Sequence, residues 1–416
     1  MSGNIQGLTN SSNARGRAAE TRSVVAAMLP IMSAVFVAFL VIGLAMPVLP
    51  LHVHDGLGLG AFVVGLVAGA QFTASLLSRF WSGRYADSGG GKRAVVAGLL
   101  VAAAAGLLYF LSLRFAGAPV TSVAILLVGR AVLGGAESFI ITGALSWGLA
   151  LGGPENAGKV MAWVGTAMYV AFAVGAPAGS ALYAVYGFTA VALATTLIPL
   201  ATLLLVLPRR VAAPAAHGRR PSFASVVGAV WAPGVGLAFS SVGFGAVTTF
   251  VVLLFAQRGW GLAWLALTVF ATAFVVARLL FSHLADRVGG ARVALVSALI
   301  EAAGLALIWL APWGALALCG AAVAGFGYSL VYPGFGVEAV RRAPAESRGL
   351  AMGAYTAFLD LALGLANPAL GLVAGGAGLG TVFLASALVV LCSAAVAARL
   401  VNAPAVTRKT PSAGTT

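Results

Sequence analysis

Four ionisable side chains, Arg130, Glu137, Glu301 and Asp360, lie inside long apolar stretches of this chain. A charge held at mid-membrane costs at least about 2.5–3.5 kcal/mol. Such a group persists where it faces a watery cavity, pairs with an opposite charge, or passes on a proton. Arg130 and Glu137 are two helical turns apart and so share one helix face. Their separation along the axis is about 10 Å, too long for direct contact without side-chain reach or water. Glu137 is the first candidate for a proton carrier, with Arg130 setting its proton affinity. A structural ion pair that locks helices is the alternative. Asp360 has the chemistry to bind a cationic substrate or to share the proton.

The elements that must position these groups follow from composition. Of 416 residues, 61% are hydrophobic and 8% charged, whereas a soluble domain carries about 25% charged residues. Lipid must therefore be the solvent. Roughly twelve apolar segments are each about 20 residues long, enough to span, and the fourth and tenth run longer. The expected fold is an all-α membrane protein, with twelve transmembrane helices in two pseudo-symmetric six-helix bundles around a central cavity. The expected divisions are a disordered tail (1–22), a first bundle (23–208), a linker (209–224), a second bundle (225–401) and a tail (402–416).

The net charge of +14 does not point to nucleic acid, because the basic residues fall in short clusters between apolar runs. With both termini on the cytoplasmic side, 19 of the 24 Lys and Arg lie inside and two, Arg114 and Arg258, lie outside. That asymmetry fits the positive-inside rule. Cys319 and Cys392 lie within apolar stretches and read as buried thiols. His52, His54 and Asp55 read as a solvated interfacial group rather than a metal site. No cofactor or metal is implied, and no cluster suited to catalysis or ATP hydrolysis is present, so an enzyme is not expected.

The sequence repeats itself. Arg79, Asp87, Gly90, Gly91 and Arg93 return as Arg278, Asp286, Gly289, Gly290 and Arg292, at an offset of 199 residues. Further on the offset is 191: Gly134 pairs with Gly325, Ser138 with Ser329, Pro177 with Pro368, and Tyr169 with Asp360. Two halves repeated in parallel are a layout of secondary transporters.

These motifs together resemble the major facilitator superfamily over nearly the whole chain. Gly83-x3-Asp87-x2-Gly90-x-Lys92-Arg93 resembles its signature after the second helix; Ser282 and Ala291 depart from it in the second copy. Arg130-x3-Gly134 is similar to the fourth-helix motif of proton-coupled members. Gly175-Ala176-Pro177-Ala178-Gly179 resembles the fifth-helix antiporter motif, with Ala176 where Gly is usual. Gly43-x3-Pro47-x2-Pro50 resembles the first-helix motif of drug–proton antiporters. Within the superfamily the chain is similar to the efflux branch, near multidrug and arabinose-efflux-like permeases.

The resemblance implies that the fourth helix lines the cavity, which favours Glu137 and Arg130, and that Glu301 belongs to an outer helix, buried against a neighbour. It also implies a cytoplasmic latch: Asp87 with Arg84, Lys92 and Arg93, on a tight turn permitted by Gly90 and Gly91, together with Gly83, Arg79 and the second-copy residues Arg278, Asp286, Gly289 and Arg292. Gln71, Ser138, Thr142, Tyr169, Tyr328 and Tyr332 are candidate cavity lining. Gly175, Pro177, Gly179 and Pro368 are expected to kink two helices on which the halves rock. The expected function is proton-coupled efflux of a small organic compound, drug-like or sugar-like, across a bacterial inner membrane. The expected partners are that compound, a proton and the bilayer, and one chain holding both halves is expected to work as a monomer. An uncoupled or importing sugar facilitator is the rival, and a membrane sensor or scaffold is the alternative from another class.

Overall fold

The computed structural model describes residues 28–152, 157–209, 223–343 and 348–402, and these are helical apart from short turns. Both expected tails, but for Asn402, and most of the expected linker lie outside the described residues.

The first span, α1 (Met28–Gly56), is interrupted at Met46–Pro47, where proline has no N–H to continue the ladder. It ends in a wide turn, His52–Gly56. Next come α2 (Ala61–Gly89), α3 (Gly91–Leu113) and α4 (Pro119–Gly152). The helical run Ala157–Val206 has 50 residues, about 75 Å if straight, against a hydrocarbon core of about 30 Å. Gly187 breaks it with φ 68 and ψ −167, a backbone that suits glycine alone. The two parts are α5 (157–186) and α6 (188–206). The second half holds α7 (Phe223–Gln257), α8 (Ala263–Phe281), a single helical turn Leu284–Arg287, α9 (Gly290–Leu310), α10 (Gly314–Arg342), α11 (Arg348–Ala377) and α12 (Leu379–Asn402). Among the described residues, eleven apolar runs long enough to cross a membrane become twelve spans once the break at Gly187 is counted.

In the first bundle α2 and α3 pack on α4, and α3 also packs on α6. In the second, α8 and α9 pack on α10, α9 on α12, and α7 on α11 and α12. The bundles meet along two seams, α2 on α11 and α5 on α8. Under the repeat α2 corresponds to α8 and α5 to α11, so the seams are one contact used twice.

The symmetry extends to single glycines. Gly134 leaves room for the carbonyl of Gln71 on α2, and Gly325 leaves room for that of Phe270 on α8; both pairs correspond by the repeat. The repeated turns pivot on Gly90 (φ 86) and Gly289 (φ 103). At the other end, α7 is buried on every side from Gly243 to Phe255, as a helix apolar all round should be. Gly65, Gly69 and Gly371 hold α2 and α11 in backbone contact toward that same end, so the bundles are closed there.

Three expectations are corrected. The signature after the second span is mostly helix, because α2 runs through Gly83 and Asp87 to Gly89. Cys319 and Cys392 are exposed on the bundle surface, where an apolar thiol meets lipid as readily as it meets a core. His52 is buried and stacks on Phe188, with ring centroids 4.1 Å apart, rather than sitting in solvent.

Candidate functional site

Gln71, Ser75 and Arg79 recur every four residues on α2, so they form one polar stripe down one face of that helix. Each reaches a carboxyl group. Gln71 Nε2 donates to Glu137 Oε2 on α4 at 2.7 Å. Arg79 crosses to the other bundle, with Nη2 2.5 Å and Nε 2.6 Å from Asp360 Oδ2 on α11. Ser75 Oγ donates to the same oxygen at 3.4 Å. Glu137 is 7% exposed and Asp360 2%, and each is within electrostatic reach of the other and of Arg79. The stripe spans about 12 Å and joins a carboxyl of one half to a carboxyl of the other.

Arg79 is thus part of the inter-bundle seam rather than a latch at a helix end. Arg130 does not contact Glu137. Its Nε donates to the Val67 carbonyl at 3.3 Å and its Nη1 to Tyr109 Oη at 3.5 Å, which ties α4 to α2 and α3. It also borders a cavity with room for about one water, walled by Met46, Phe72, Thr248 and Thr249.

The candidate lining residues divide. The hydroxyls of Ser138 and Thr142 meet Ser82 at 2.9 and 3.2 Å, which closes the α2–α4 crossing inside the first bundle. Gln71 is likewise internal, at 1% exposed. Tyr169 lies in the α5–α8 seam, stacked 3.5 Å from Phe274. Tyr332 Oη meets Thr356 Oγ1 at 3.0 Å, and Tyr328 Oη meets Ser241 Oγ at 3.4 Å. Glu301 is buried on α9 and accepts a hydrogen bond from Ser240 of α7. Ser75, Ser82, Ser240, Phe274 and Tyr355 went unnoticed in the sequence. The four-residue polar period on α2 was the signal that would have found Ser75.

The expected latch takes a different form. Lys92 is buried and its Nζ donates to the carbonyls of Leu207 and Arg209 at 2.7 and 2.5 Å. Those carbonyls end α6, where a helix leaves its acceptors unmatched and its dipole is negative. Arg84 lies over the Phe80 ring at 5.4 Å. In the second copy Asp286 is exposed, on the turn Leu284–Arg287. Lys92→Met should lower stability by about 1–2 kcal/mol, while Lys92→Arg should lose less; thermal unfolding in detergent measures both.

The antiporter-like motifs of α1 and α5 meet one another. A side chain at Gly175 would strike the backbone of Gly43 and Leu40, and one at Gly179 that of Leu44. This glycine contact lies within the first bundle. Pro368 packs across the seam, against Gly65 and Gly69 of α2. Of the residues named for the kink, Pro368 thus bears on the other bundle.

Twelve spans in two repeated bundles are the architecture expected from the sequence. The family model for the Major Facilitator Superfamily matches residues 31–269 and 237–416. The chain belongs to the major facilitator superfamily. It is a membrane transporter of that type and not an enzyme. An uncharacterised MFS-type transporter of Salmonella typhimurium is 44% identical over 368 residues, 88% of this chain and 94% of that protein. In fold the transporter is similar to a bacterial homologue of the human lysosomal transporter Spinster, with TM-score 0.71 at 12% identity over 90% of this chain and 96% of that one. It is also similar to the nucleoside transporter NupG, with TM-score 0.70 at 15% identity over 90% and 99%.

Proposed function

We propose that this transporter is proton-coupled and exports a small organic compound by alternating access. The observation that supports coupling is the α2 stripe, which binds a buried carboxyl of each half. Rocking the bundles requires α11 to move against α2, and the Arg79–Asp360 pair resists that movement. A proton on Asp360 removes the charge that holds Arg79, and a proton on Glu137 removes the charge beside it. Proton entry down a membrane potential releases about 2.3 kcal/mol per 100 mV, enough to drive the cycle. Export, rather than import, is favoured by the meeting of the two antiporter-like motifs at Gly43, Gly175 and Gly179. Placement in a bacterial inner membrane with both termini inside is favoured by the distribution of basic residues.

The test is proton flux in energised inverted vesicles, with a dye reporting lumenal pH, across a panel of drugs, sugars and organic acids. A transported compound should discharge the gradient with wild type and fail to do so with Glu137→Gln, in vesicles that hold folded protein. Wild-type coupling in Glu137→Gln would remove Glu137 from the proton path. Flux indifferent to pH would leave an uncoupled facilitator, and silence across the panel would favour a sensor.

A further inference from the structure

The two inter-bundle seams are equivalent by the repeat but are filled differently. On the α2–α11 side Asp360 is held by Ser75 and Arg79. The corresponding residues on the α5–α8 side are Tyr169, Phe274 and Arg278. Arg278 therefore occupies the place of Arg79, with a phenol where its twin has a carboxylate.

Arg278 is poorly matched there. Its guanidinium lies 5.1 Å from the centre of the Phe274 ring, and that ring stacks on Tyr169. Its Nε is buried without a hydrogen-bond partner, and among the described residues no carboxylate pairs with it. Tyr169, Tyr328 and Tyr355 all lie within electrostatic reach of Arg278. Asp360, the acidic group that the sequence offered for a cationic substrate, is already engaged by Arg79.

A buried guanidinium N–H without an acceptor, such as the Nε–H of Arg278, is costly until something accepts from it. A planar oxyanion fits its paired N–H groups best, and aromatic walls suit the apolar body of a small ligand. We infer that the α5–α8 seam is the cargo's anion site and that the transported compound is a small organic anion, its carboxylate or similar oxyanion held by Arg278 and its body set among Tyr169, Phe274 and Tyr328. The inference rests on the transporter reading and adds the charge of the cargo.

The experiment uses purified full-length protein in detergent, followed by intrinsic-fluorescence melting. The probes are aromatic and aliphatic carboxylates at millimolar concentration, each beside its neutral amide. Carboxylates should raise the melting temperature and amides should not. Arg278→Gln should weaken the response by about tenfold or more, with Arg278→Lys between. Tyr169→Asp installs the carboxylate that the other seam has. It should raise the melting temperature without ligand and abolish the response to carboxylates. Amides acting as well as carboxylates, a full response in Arg278→Gln, or no carboxylate stabilising wild type would each overturn the inference. Carboxylates that bind Arg278 but cross proteoliposomes without regard to pH would sink proton coupling and leave the anion site standing. Proton-linked flux of a cation or a neutral compound would do the reverse.

Discussion

Asp360→Leu should destabilise the transporter by about 3–5 kcal/mol, and adding Arg79→Met should restore most of the loss. The asymmetry comes from desolvation. In the intact pair one carboxylate oxygen takes two guanidinium contacts, at 2.5 and 2.6 Å, with Ser75 beside it. Removing Asp360 leaves Arg79 in the seam with its charge uncompensated, which is the expensive state. Removing both leaves two apolar side chains of similar bulk packed against each other, which in a low-dielectric setting is often neutral or better. A stranded Asp360 can take up a proton and become neutral, whereas a stranded Arg79 cannot lose one, so Asp360→Leu should be the worse single change, softened by the 22% of the Arg79 side chain that stays exposed. Transport should separate from folding. The double variant should melt near wild type and yet be inactive, because a seam held by apolar contact no longer answers to a proton. Melting in detergent and flux in proteoliposomes, run on the same preparations, measure the two effects. A single variant as stable as wild type would show that the pair contributes nothing to the closed seam. A double variant that still couples protons to flux would move the coupling elsewhere, with Glu137 the next place to look.

The architecture was legible because lipid allows few solutions. Apolar length gave the spans, and the offsets of 199 and 191 related α2 to α8 and α4 to α10. Gly90 and Gly289 were readable as turns because their left-handed backbone suits little else. The partners of the embedded charges were not legible. Arg79 and Asp360 are 281 residues apart, and nothing local in either helix says that α2 will lie on α11. Sequence reasoning therefore paired Arg130 with Glu137, which share a helix, whereas the structure gives Glu137 to Gln71 and Arg130 to Val67 and Tyr109. Lys92 misled for a related reason. Beside Asp87 it resembles a clamp, but its long side chain reaches the end of α6, more than a hundred residues later. Small hydroxyls such as Ser138 and Thr142 were equally ambiguous, since cavity lining and a helix crossing ask for the same residue types.

Gly134→Val and Gly65→Val should fail in opposite ways, although each adds the same side chain to a crowded glycine. At Gly134 a new Cβ would overlap the Gln71 carbonyl; at Gly65 it would overlap the Asn367 carbonyl and lie 3.0 Å from Pro368 Cα. In both places the obstacle is backbone, which cannot change rotamer to make room. Overpacking of this kind costs about 1–3 kcal/mol, and more where the neighbour is rigid. The α2–α4 crossing lies within one bundle and has no second arrangement to adopt, so Gly134→Val must pay in folding. It should lower the melting temperature and also disturb the Gln71–Glu137 bond. The α2–α11 crossing lies between bundles, and a transporter that rocks has a second arrangement in which those surfaces part. Gly65→Val should relieve its clash by moving to that state, keeping its fold while losing transport. A bias of about 3 kcal/mol shifts such an equilibrium roughly a hundredfold. Thr248→Cys, with Cys319 and Cys392 replaced by serine, reports the shift, because Thr248 borders the cavity at the closed end and is 8% exposed. Its labelling by a membrane-impermeant thiol reagent should accelerate in Gly65→Val. Unchanged labelling together with a fall in melting temperature like that of Gly134→Val would mean that α2 and α11 are fixed to each other there, and the moving contact would then have to be the α5–α8 seam.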